Sequence, residues 1–100
     1  MIQINPIVRL RELLDAAKIP YENVDSIGIS RVKYPSYAHE VCSAIWGIGT
    51  YGYEAGAIEI MGLLTPEEEA YGCVTGWLTP EEVFSRIEAH YRKEVNDGEA

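Results

Sequence analysis

Two helix starts are written into this chain by the same five residues. Leu64-Thr65-Pro66-Glu67-Glu68 recurs as Leu78-Thr79-Pro80-Glu81-Glu82. In each copy Thr is the N-cap and Pro takes the first helical position, where its missing N–H has no intrahelical partner to lose. Glu at the third position can then accept from the Thr backbone N–H, completing a capping box. The first copy meets Gly72 after about one and a half turns, so it predicts a short helix. The second runs on through Val83, Phe84, Ile87 and Tyr91, an apolar stripe that predicts a helix over 80–93. Residues 95–100 read as a polar, frayed C-terminal tail.

A third start lies at Asn5-Pro6, again a good N-cap followed by a first-turn proline. Ile7, Leu10, Leu13, Leu14 and Ala17 follow at helical spacing, and Pro20 bars continuation, which predicts a helix over 6–17. The middle of the chain changes period. Ile27–Tyr34 and Val41–Trp46 are short, β-branched and partly alternating, so both read as strands, joined by a loop over 35–40. Ala57–Gly62 predicts a third strand, with a short helix over 57–64 as the competing reading. Tyr21–Ser26 reads as a polar connection. The expected fold is α+β: a small antiparallel sheet of two to three strands packed against an N-terminal and a C-terminal helix, in one domain over 1–94.

Charge restricts the partners. The net charge is −8, all of it carried by residues 54–100, and no Lys or Arg occurs over 34–85. Such a field repels nucleic acid and phosphate surfaces and favours basic ones. There is no apolar run long enough to span a bilayer and no signal-peptide pattern at Met1–Asn5, and Cys42 and Cys73 are isolated, so a reducing cytoplasm is the expected setting.

No set of residues composes an active site. Gly47-Ile48-Gly49-Thr50-Tyr51-Gly52 has the spacing of a dinucleotide phosphate loop, but no long helix follows, so a twisted strand end leading to a hairpin is the favoured reading. His39-x-x-Cys42 is one close pair, but Cys73 and His90, with sixteen residues between them, belong to none, so a structural zinc site is not expected. Ser43 lacks a nucleophile elbow. Neither an enzyme activity, a metal nor a cofactor is expected. Trp46 reads as core. Tyr51 and Tyr53, on a glycine-rich loop, read as either core margin or interface anchors.

From residue 51 onward, Tyr51-Gly52-Tyr53-Glu54, Ile58–Thr65 and Gly76–Ile87 resemble small uncharacterised proteins of prophages and mobile elements in Gram-positive, mainly gut, bacteria, over roughly residues 40–93. The resemblance brings no catalytic residues. It implies a setting in which short acidic accessory proteins occupy a host protein, some of them inhibiting CRISPR or other defence nucleases. The expectation is therefore a non-enzymatic protein that binds a basic host partner through Tyr51, Tyr53, Glu54, Glu59, Glu67, Glu68 and Glu69. Two other readings stand beside it: a small-ligand or nucleotide sponge using the Gly47–Tyr53 loop, perhaps shared across a homodimer interface, and a phage structural or assembly component.

Overall fold

The computed structural model describes residues 4–99; Met1–Gln3, the start of the stretch without a signal-peptide pattern, and Ala100, the last residue of the expected tail, lie outside them. The element order is α1 (Pro6–Ala17), β1 (Glu22–Asn23), β2 (Ile29–Tyr34), β3 (Cys42–Gly47), a 3₁₀ turn (Tyr53–Ala55), β4 (Ile58–Met61), α2 (Pro66–Glu69), β5 (Val74–Leu78) and α3 (Pro80–Glu99). The chain is α+β with an antiparallel sheet.

The sheet has five strands in sequential order, β1-β2-β3-β4-β5, rather than two to three. Each neighbouring pair is antiparallel. The two unforeseen strands are the edges. The β1 strand is a pair of exposed polar residues, Glu22 and Asn23, opposite Lys33 and Val32. It forms through backbone hydrogen bonds and so has no apolar alternation to reveal it. The β5 strand contains Gly76 and a kinked Trp77, which break the period. Residues 58–61 settle as a strand, because Ile58 and Ile60 both point into the core while Glu59 between them does not.

Helix starts follow the local chemistry. Asn5 Oδ1 accepts from Ile7 N at 2.9 Å, and Asn5 Nδ2 donates to Ser30 Oγ at 2.8 Å, which fixes the head of α1 to β2. Thr65 Oγ1 accepts from Glu68 N at 3.2 Å while Glu68 Oε1 accepts from Thr65 N at 2.8 Å. Thr79 and Glu82 repeat the exchange at 3.1 and 3.0 Å. The α3 helix continues to Glu99, past the 93 predicted from the apolar stripe, so the expected tail is helical as far as it is described.

Both long helices cover one face of the sheet. Ile7, Leu10 and Leu14 of α1 and Val83 and Ile87 of α3 are buried with Val32, Tyr34, Cys42, Ala44, Ile58, Ile60 and Leu78 of the strands. Burying an aliphatic side chain of this kind contributes about 1.5–3 kcal/mol. Among the described residues, no helix lies over the opposite face. It carries Arg31, Lys33, Ser43, Ile45, Glu59, Met61 and Val74 around a shallow depression.

Candidate functional site: an aromatic hollow at the β3–β4 end of the sheet

Strand β3 ends at Gly47, and a tight turn reverses the chain. Thr50 closes it: its hydroxyl donates to Gly47 O at 2.8 Å and its backbone N–H donates to the same carbonyl at 3.0 Å. Gly49 and Gly52 have φ of 95° and 90°, conformations that side chains with a Cβ resist. The chain then makes the 3₁₀ turn Tyr53–Ala55, capped by Gly56, and enters β4. The glycine spacing is thus a strand-to-strand connection, as the favoured reading of it required.

A bulge in β5 brings a second segment to this loop. Ile58 pairs with Leu78 but Ile60 pairs with Thr75, so β5 carries one residue more than β4 over this stretch. Trp77 absorbs the irregularity with φ 63°. In such bulges glycine normally occupies the left-handed position, and a bulky residue there is strained. Two glycines let the segments close on each other. A Cβ on Gly76 would collide with the Cβ of Tyr51, and one on Gly52 would sit 3.2 Å from Trp77 Cα.

The result is a shallow hollow of about 440 Å³ lined by Ile48, Thr50, Tyr51, Tyr53, Glu54 and Trp77, together with the loop glycines. Trp77 is 64% exposed, Tyr51 62% and Ile48 77%, so large apolar groups stand in solvent around it. Tyr53 is the supported wall. Its ring lies 4.9 Å from that of Trp46, and its carbonyl accepts from Trp46 Nε1 at 3.1 Å. Trp46 itself packs at the margin of the core. The Glu54 carboxylate has no hydrogen bond or ion pair to any described residue.

Several of the loop's amides are engaged. Thr50, Tyr53, Ala55, Gly56 and Ala57 donate to loop carbonyls, and Tyr51 N donates to Glu59 Oε1 at 3.1 Å. A phosphate would need such donors free.

The residues expected to make one acidic surface are divided. Tyr51, Tyr53 and Glu54 share the hollow. Glu59 sits on the uncovered sheet face beside Arg31 and Lys33 and braces the loop from there. Glu67, Glu68 and Glu69 lie in α2, beyond the other end of β4. Glu68 is occupied: Arg86 Nη1 and Nη2 donate to its two oxygens at 2.7 and 2.9 Å, and Arg86 Nη1 also donates to Leu63 O at 3.0 Å. Those hydrogen bonds, with that from the Thr65 amide, hold the Glu68 carboxyl down at about 2. Glu81 and Glu40 are likewise paired, with Arg9 at 3.2 Å and Lys33 at 2.6 Å. The carboxylates therefore lie in three separate places of the fold. Trp77, the residue that completes the hollow, carries no local signal of its role: its exposure depends on a bulge between strands.

The remaining nucleophiles and ligands stand apart. Cys42 is buried, which pushes its thiol up to about 12, and Cys73 is exposed and free. Tyr34 Oη and His90 Nδ1 lie 2.8 Å apart, joining the sheet to α3. Among the described residues no three His, Cys, Asp or Glu side chains gather to hold a metal ion, and no helix is long and apolar enough to cross a membrane. No family model, curated protein or solved structure matches the chain.

Proposed function

We propose that the chain is a non-enzymatic docking protein that occupies a basic partner protein, with the hollow of Tyr51, Tyr53, Glu54 and Trp77 as its contact. The observation that carries this reading is Trp77: a large aromatic left in solvent, beside Tyr51, on a backbone conformation that costs free energy to hold. Exposed Trp and Tyr beside a recess are the residues that dominate interface energetics. The net charge of −8 supports a cationic partner by long-range attraction. The prophage-like string over residues 40–93 supports a setting in which that partner is a nucleic-acid-binding host protein, a defence nuclease being one such class. The engaged loop amides weigh against the nucleotide-sponge alternative.

The test is capture from a bacterial lysate by the immobilised wild type and by a Tyr51→Ala/Trp77→Ala double variant. The expected result is a basic protein held by the wild type, released as salt is raised, and reduced at least tenfold on the variant, since two such anchors each contribute over about 1 kcal/mol. Equal retention of every captured protein by both forms would overturn the reading.

A further inference from the structure

Resting on that docking site, we infer that the hollow receives the side chain of an arginine, laid against the aromatic residues with its guanidinium directed to Glu54. Four observations converge on this group. The lining supplies three aromatic rings, Tyr51, Tyr53 and Trp77, whose π-systems attract a cation. Glu54 stands at the same hollow with a carboxylate that no described residue occupies, and no Lys or Arg is among the lining residues. The amides of Thr50, Tyr51 and Tyr53 already donate within the protein, so a phosphate or carboxylate group finds fewer donors here than the glycine spacing suggests. Finally, the hollow is shallow and open, formed at one end of the sheet. A compact ammonium is strongly hydrated and needs enclosure to be stripped of water. A planar guanidinium is weakly hydrated, stacks on a ring, and presents a fork of donors to a carboxylate. Ile48, exposed at the rim, offers an apolar surface for the arginine's methylene stem.

The proposal is tested by NMR on the ¹⁵N-labelled full-length chain, titrated with acetyl-Gly-Arg-Gly-amide and with its lysine and citrulline counterparts. Citrulline keeps the shape and removes the charge. The arginine peptide is expected to shift the Trp77 indole N–H saturably, with the lysine peptide weaker by roughly threefold or more and the citrulline peptide weaker still. Glu54→Gln should weaken the arginine peptide by about three- to fivefold, while Glu67→Gln, in α2, should leave it unchanged. An unmoved Trp77 indole, equal binding of citrulline, or an inert Glu54→Gln substitution would each overturn the arginine assignment. The two readings fail separately. Capture lost in the double variant with an inert arginine peptide removes the arginine and leaves docking at the hollow. A specific arginine response with capture unaffected keeps the arginine site and removes the docking of a partner there.

Discussion

Trp77 holds φ 63° where glycine would be at ease, and its side chain is mostly in solvent. The left-handed conformation costs an ordinary residue about 1–2 kcal/mol, and little packing offsets it here. Replacing Trp77 by glycine should therefore raise stability by roughly 0.5–1 kcal/mol, the relief being trimmed by the greater freedom of the unfolded chain. Urea unfolding would read this directly. A loss of more than about 1 kcal/mol would mean that the indole supports the fold. The same substitution should weaken partner capture by about fivefold or more, so that stability and binding move in opposite directions, the pattern expected where a strained residue serves a contact. Nothing in the sequence around Trp77 announces this. Gly76-Trp77 lies just before a conspicuous capping box, and its geometry arises from a mismatch of register with a strand many residues earlier.

The helices show the reverse relation between sequence and structure. Asn5-Pro6 and the two Thr-Pro-Glu-Glu segments were legible because capping is chemistry among neighbours: every group that ends the exchange lies within three residues. Strands β2, β3 and β4 were legible from apolar alternation against the core, whereas β1 and β5 depend on backbone partners that the sequence does not name. The α2 helix shows how a local motif is reused at longer range. Its capping Glu68 also clasps Arg86 of α3, so one carboxylate caps a four-residue helix and ties it down. Arg86→Met should lower stability by about 1–2 kcal/mol at neutral pH, from loss of the paired hydrogen bonds and of the bond to the Leu63 carbonyl. The folded carboxyl titrates near 2 against an ordinary 4.5. Its contribution is thus complete above 4.5 and drains away as the pH falls toward 2. Unfolding curves of wild type and variant should accordingly draw together in that acid window, leaving only the part owed to the Leu63 carbonyl. A gap that stays constant down to the lowest pH would show that the ion pair is not its source.

In the molecule as a whole, a single layer of helices covers a five-stranded sheet, and among the described residues none covers the other face. The buried apolar side chains between the two layers form one cluster. Ile87 lies in it, fully buried, on the helix that follows β5 directly. Ile87→Ala should cost about 2–5 kcal/mol, the transfer loss plus a cavity that a packed neighbourhood closes only in part. For a domain of this size that is a large share of total stability, and chemical denaturation should show it as a lower midpoint with little change in slope. Charge is distributed less simply than composition suggests. The acidic half of the sequence is partly neutralised by pairs to α1 and α3, which leaves Glu54 beside the aromatic residues as the carboxylate best placed to meet a partner.

Tyr51 and Trp77 come from stretches that meet closely because Gly76 presents bare backbone to Tyr51 and Gly52 presents it to Trp77. Neither stretch, cut out and synthesised as a linear fragment, would recreate the recess. Any antibody or small inhibitor meant to block it must recognise a discontinuous epitope, and the intact protein is the only form in which that epitope exists.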